Sequence, residues 1–153
     1  MKKLLILILS VFFATASFGA TENIHQWLVN PSSVWRTGIS LTNACNVDDV
    51  DVIIKLWKAD GSLLSNKQIS SDYTTDSNGE ISLHLIPHQS TFVTISFGYF
   101  DTFTHGSGTV TTSYSKSGVE CLVGSYSSDT TVSSAPNPYG HSYGFLLNNG
   151  KKF

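Results

Sequence analysis

The stretch that decides the fold is GISLTNACNVDDVDVIIKLWKADGSLL, which runs from Gly38 to Leu64. It contains two segments of alternating apolar and polar residues, joined by a polar connection. In the second segment, Val50–Lys58, the apolar side chains that share one face are those of Val50, Val52, Ile54 and Leu56. A period of two is typical of a strand in a sheet with one buried face. The Asp-Gly pair that follows predicts a hairpin, with a return strand over Leu63–Ile69.

Short alternating segments continue along the rest of the chain, separated by Gly, Pro, Asn and Ser. The spacing of Ile24, Trp27 and Leu28 fits a helical turn, and a short strand over His25–Val29 with Trp27 in the core fits equally well. Ser127–Pro138 is predicted to be a connection. Seven or eight strands with no long helical pattern indicate an all-β fold, and we expect a single antiparallel β-sandwich, immunoglobulin-like or related. The further predicted strands are Val34–Cys45, Ile81–Ile86, Thr91–Phe97, Thr109–Tyr114, Val119–Tyr126 and Ser142–Leu147.

The first residues have the pattern of a secretory signal peptide. Two lysines precede an apolar run over Leu4–Phe13, and Ala14-Thr15-Ala16 supplies the small residues that a signal peptidase recognises. We predict a cleaved signal helix over 1–16, with cleavage after Gly19 as an alternative, and a single domain over 21–153. The signal peptide predicts export to the periplasm or outside the cell. No second long apolar run follows, so the mature chain is expected to have no membrane span.

Composition excludes one class of partner. Removing Lys2 and Lys3 leaves seven Lys and Arg residues against 11 Asp and Glu residues, a net charge of −4. Phosphate binding needs clustered cations, so nucleic acid is not an expected partner. Charged residues make up only 13% of the chain, which suits an exported β-protein better than a charge-rich helical one.

Two cysteines, Cys45 and Cys121, are predicted to form a disulfide because exported proteins meet an oxidising environment. Both are expected to point into the core. In the first strand Cys45 shares its face with apolar residues, and in the last cysteine-bearing strand Val119, Cys121 and Val123 alternate with polar or small neighbours. The bond could cross the core or join adjacent strands. Two free thiols or half of a metal site are the alternatives.

No catalytic constellation can be assembled, so the protein is not expected to be an enzyme or to need a cofactor. Three close carboxylates, Asp48, Asp49 and Asp51, are weak calcium candidates, although such a cluster on a solvated loop more often discourages edge pairing. A hydrolase would require His105 and Ser107 to meet an acid within hydrogen-bond reach.

Aromatic residues are the remaining functional resource. The predicted loop Gly98–Gly108 contains Tyr99, Phe100 and Phe103. Trp57 lies opposite the buried face of its strand, where an indole can stack on a sugar ring or on a partner surface. The alternative is that Trp57 only covers the outer face of the sheet. We name these four aromatic residues as candidate ligand contacts.

The pieces GISLTN, LWKADGSLL, GSGTV, CLVGSYSS and NNGKKF resemble small exported β-sandwich proteins of bacteria, a group with no settled activity. The resemblance implies a sandwich fold and no site residues. We therefore expect an exported, non-enzymatic module that binds an unknown protein or glycan by surface contact. The alternative is a structural subunit of a surface assembly, joined through a strand edge or through the late Ser/Thr/Pro segment.

Overall fold

The computed structural model describes residues 19–31, 35–64, 73, 75–95, 100–112, 119–131 and 140–153. This part of the chain forms two antiparallel four-stranded sheets, with strand orders β1-β6-β3-β4 and β5-β2-β7-β8. The all-β sandwich expected from the sequence is confirmed, whereas the predicted signal segment 1–16 lies outside the described residues. The strands are β1 Thr21–Val29, β2 Trp35–Asn43, β3 Val50–Lys58, β4 Glu80–Leu85, β5 Ser90–Ile95, β6 Thr104–Thr112, β7 Leu122–Thr131 and β8 Gly140–Leu146.

The core lies between the two sheets and is built from the inward faces of their strands. Strand β3 has the predicted bounds, and its four alternate apolar side chains are all buried. Full burial of such an aliphatic side chain contributes roughly 1.5–3 kcal/mol to folding. The largest core side chains come from both sheets and include Trp27, Ile39, Leu41, Ile54, Leu56, Ile81, Ile95 and Leu122.

Strand β1 carries a β-bulge that explains its ambiguous sequence pattern. Ile24 pairs with Gly108 and Trp27 with Gly106, so that two residues of β1 oppose a single residue, Ser107, of β6. An extra residue in one strand lets side chains three positions apart point to the same side. Both Ile24 and Trp27 are buried for this reason. Their helix-like spacing belongs to a bulged strand.

The antiparallel return predicted after the Asp60-Gly61 turn is present at its start, over Leu63 and Leu64, but the pairing seen there is short. Leu63 makes only an isolated bridge to Trp57, and the N–H of Leu64 donates to the carbonyl of Leu56. Beyond that point the edge of β3 is occupied by β4, which pairs with Val50 through Lys55. A second strand cannot use the same backbone groups. The remainder of the predicted strand, 65–69, lies outside the described residues.

The predicted alternation around Cys121 is also wrong. Leu122 is buried and Val119 is 50% exposed, so the inward face of β7 is the one that begins at Leu122. Cys121 is nevertheless buried, because it lies one residue before the strand, where strict alternation no longer applies. The connection predicted over Ser127–Pro138 is wrong in its first part, because strand β7 extends to Thr131. The rest of that predicted connection, 132–138, lies outside the described residues.

The predicted disulfide between Cys45 and Cys121 is present. It lies just beyond the paired ends of two adjacent strands of one sheet, because Cys45 follows β2, Cys121 precedes β7, and Asn43 at the end of β2 pairs with Leu122 at the start of β7. The Cα atoms of the two cysteines are 5.1 Å apart. The N–H of Ala44 donates to the carbonyl of Cys121 at 2.8 Å. A backbone hydrogen bond and the disulfide therefore connect the same two chain segments at the ends of β2 and β7.

Candidate functional site

A groove of about 650 Å³ lies at the end of the first sheet, and we call it the Trp57 groove. Three elements form it: the bulge of β1, the end of β3 with the turn that follows, and the beginning of β6. The structure therefore brings Trp57 together with part of the segment Gly98–Gly108, where the sequence predicted a ligand contact. The lining residues are His25, Gln26, 57–59, Gly61 and 105–107.

Trp57 occupies an outward position on β3 and is half-buried. Its backbone pairs with Ser107 of β6. Beneath it, the indole Nε1 of the buried Trp27 donates to the carbonyl of Trp57 at 3.1 Å and to the carbonyl of Ser107 at 3.0 Å. A core side chain thus ties two strands of the groove together from below, and the position of the Trp57 backbone is set by the core.

The segment predicted as a loop over Gly98–Gly108 is wrong in its second half, because β6 begins at Thr104. Phe103 just precedes the strand, is 53% exposed and stacks on His105 with ring centroids 5.5 Å apart. Phe100 instead packs against the core, with its ring centroid 6.3 Å from that of Trp27. Tyr99 lies outside the described residues.

Two lining residues, His25 and Gln26, were not identified from the sequence. Both are exposed because they form the bulge of β1. The only signal for them in the sequence is the three-residue spacing of Ile24 and Trp27, which fits a helical turn and a short strand equally well. Bulges are often found beside binding sites, because they redirect side chains at the edge of a sheet.

Lys58 is the one Lys or Arg residue among the described residues that line the Trp57 groove. None of the Asp or Glu residues in the described part of the chain lines it. Asp60, in the adjacent turn, accepts hydrogen bonds from the hydroxyl of Ser62 at 2.6 Å and from its N–H at 2.9 Å. These bonds, together with the nearby Lys58, hold the pKa of Asp60 below its usual value.

Two of the three calcium candidates, Asp49 and Asp51, lie beside the imidazole of His84. The imidazole of His84 lies 2.7 Å from the carboxylate of Asp51 and 3.5 Å from that of Asp49, and the hydrogen bond to Asp51 is the main cause that raises the pKa of His84. The backbone carbonyl of Asp48 accepts from Asn43 Nδ2 at 2.8 Å. Across the described ranges, no three His, Cys, Asp or Glu side chains form a group that could hold a metal ion.

A second groove, of about 510 Å³, separates the edge strands β1 and β8. The Phe145 ring stacks on that of Tyr126 with centroids 5.2 Å apart, and the side chain of Phe145 is 52% exposed. Its neighbour Leu146 is 63% exposed. This edge of the second sheet therefore presents apolar surface.

Comparison with solved structures finds similarity to the crystal structure of Thermotoga maritima 1070. The TM-score is 0.54 with 8% sequence identity, over 83% of this chain and 90% of that chain. At this identity the likeness shows the fold, a β-sandwich, and nothing about activity. No protein family and no curated protein matches the chain. Among the residues that the structure describes, no helix has the length and apolar character needed to cross a membrane.

Proposed function

We propose that this protein is an exported, non-enzymatic binding or accessory module that contacts a glycan through the Trp57 groove. The observation that carries the proposal is the half-buried indole of Trp57 at an open groove of about 650 Å³. A flat aromatic face packs well against the apolar face of a sugar ring, and neighbouring polar groups can bind its hydroxyls.

The polar groups of the groove suit this ligand class. The amide of Gln26 supplies two donors and an acceptor, and the hydroxyl of Ser107 can donate or accept. The imidazoles of His25 and His105 add further hydrogen-bonding groups. A hydrolase acting through His105 and Ser107 would need an acid beside them, and the groove has no carboxylate from the described part of the chain. Binding without catalysis is therefore the function that these groups support.

Replacing Trp57 by alanine is expected to weaken glycan binding while the protein stays folded. Binding partners would first be selected on a glycan array, and the affinity then measured by titration of intrinsic fluorescence. Loss of the stacking surface should weaken binding about 5- to 150-fold, if a sugar ring on an indole is worth as much as a nucleic-acid base on an aromatic ring, about 1–3 kcal/mol. Ile53→Ala is the matched control, because Ile53 lies on the same face of β3, is 38% exposed and does not line the groove.

Two results would remove the proposal. One is an array on which the wild-type protein binds no glycan. The other is binding that Trp57→Ala and Ile53→Ala weaken equally, because the groove would then have no special part in it.

The second candidate function is a structural subunit of a surface assembly, joined through the edge of β8. The exposed side chains of Phe145 and Leu146 favour it, since an apolar strand edge can pair with another strand. The late Ser/Thr/Pro segment, the other predicted joint, lies mostly outside the described residues. Size-exclusion chromatography separates the two functions: a subunit should self-associate, or stay insoluble without a partner, whereas a binding module should elute as a soluble monomer.

A further inference from the structure

We propose that the Trp57 groove selects acidic saccharides, and that Lys58 recognises their negative charge. This inference rests on the proposed function, because it names the ligand class of the same groove. It is argued from the charges of the groove, from the surroundings of Lys58 and from the adjacency of Lys58 to Trp57.

The charge of the groove is opposite to that of the chain. The whole sequence has 11 Asp and Glu residues against nine Lys and Arg residues. The groove nevertheless contains Lys58 and no carboxylate from the described residues. A carboxylate in the lining would repel an anionic ligand, and a lysine ammonium attracts one. The groove is therefore suited to a negatively charged ligand in a protein that is otherwise acidic.

Lys58 is not engaged in an ion pair within the described part of the chain, unlike Lys55 on the same strand. Lys55 Nζ lies 2.5 Å from a carboxylate oxygen of Glu80, so its charge is already neutralised. The turn fixes the backbone of Lys58 through a hydrogen bond from its N–H to Ser62 and one from Gly61 to its carbonyl. The nearest carboxylate of this turn, Asp60, is held by Ser62. The charges of Asp60 and Lys58 act on each other across the turn, but no ion pair joins Lys58 to a carboxylate of the described residues, so its ammonium can still bind an anionic ligand.

The adjacency of Trp57 and Lys58 gives the charge a defined role. Consecutive residues of a strand point to opposite faces, but Lys58 is the last residue of β3, and both it and Trp57 line the same groove. A lysine side chain carries its ammonium on a flexible four-carbon stem, so a charged group on a sugar ring stacked on Trp57 is expected to meet Lys58 at the rim of this groove. An ammonium acts as a point charge and can bind either a carboxylate or a sulfate group. Carboxylated and sulfated sugars therefore belong to the same expected ligand class, a saccharide with one negative charge per bound ring.

The test uses the full-length mature protein and matched trisaccharides. Uronic acid trimers (galacturonate, glucuronate and mannuronate) are titrated beside their carboxyl-reduced neutral counterparts, and sulfated neutral trimers form a third arm. The wild type is expected to bind at least one charged trimer about tenfold more tightly than its neutral counterpart, and added salt should reduce that ratio. Lys58→Met should bring the ratio to about one. Lys55→Met, the matched control, should leave it unchanged.

The two levels of the proposal fail separately. If neutral and charged trimers bind with equal affinity, or if Lys58→Met keeps the preference, the inference about charge is overturned while the proposed groove stands. If neither the trimers nor any glycan on the array binds, the proposed function itself is overturned. Thermal denaturation of each variant establishes that it is folded before it is titrated.

Discussion

Replacing Cys45 and Cys121 together by alanine is expected to lower the free energy of unfolding by about 4 kcal/mol. The disulfide closes a loop between residues 76 positions apart, and the open chain would regain that loop-closure entropy in the unfolded state. Both cysteines are buried, so some packing is lost as well. Urea denaturation of the wild type and of the double variant measures the difference.

The native geometry around the missing disulfide should survive, because other bonds hold the same point. The side chain of Asn43 is buried, donates to the carbonyl of Leu85 at 2.9 Å and accepts the N–H of Cys45 at 3.0 Å. Leu122 and Phe153 exchange two backbone hydrogen bonds of 2.9 Å beside Cys121. The effect should therefore come chiefly from the unfolded state. The control is a reducing agent, which should destabilise the wild type and leave the double variant unchanged. A wild type with two titratable thiols, or one insensitive to reduction, would contradict the prediction.

Replacing Gly106 by alanine is expected to cost about 3 kcal/mol, the upper part of the range for overpacking a core. A Cβ atom at this position would lie 1.8 Å from the carbonyl oxygen of Trp57 and 2.7 Å from the ring of Trp27. Neither neighbour can move away easily. The carbonyl belongs to the paired strand β3, and the indole is fully buried and hydrogen-bonded to both strands.

Gly144→Ala is the control for this experiment. A Cβ atom at Gly144 would meet its nearest neighbours at 3.6 and 3.7 Å, which is ordinary van der Waals contact. The free energy of unfolding should then change by no more than about 0.5 kcal/mol. Urea denaturation measures both variants. Equal effects of the two substitutions would mean that the loss at position 106 comes from the removal of a glycine and not from the close approach of Trp27.

The same glycine shows where sequence reasoning failed. From the sequence, the glycines at 106 and 108 belong to a predicted loop and permit a turn or a bulge at the entry to the next strand. In the structure Gly106 and Gly108 lie inside β6, and a side chain on either would collide with its neighbours. A glycine required for close approach in a strand has the same letter as a glycine required for a turn. Only the position of Trp27, about 80 residues earlier in the chain, distinguishes the two.

The candidate site was predicted in part. Trp57 could be placed on the outward face of β3 from alternation alone, because that pattern is local to nine residues. Phe103 was named and lies beside the groove, whereas Phe100 was named and packs into the core. An exposed aromatic residue and a buried one are not distinguishable in a segment without periodicity. The choice depends on which side of the sandwich the segment meets.

The sequence by itself determined the all-β class, the bounds and inward face of β3, and the two partners of the disulfide, because these depend on short-range periodicity and on the number of cysteines. The tertiary structure alone decided which strands pair, that β4 and not the segment after Gly61 continues along β3, and that the bulge of β1 places His25 and Gln26 at the Trp57 groove. The physical reason is competition for backbone hydrogen bonds. Each strand edge accepts one partner, and residues far apart in the chain settle which partner that is.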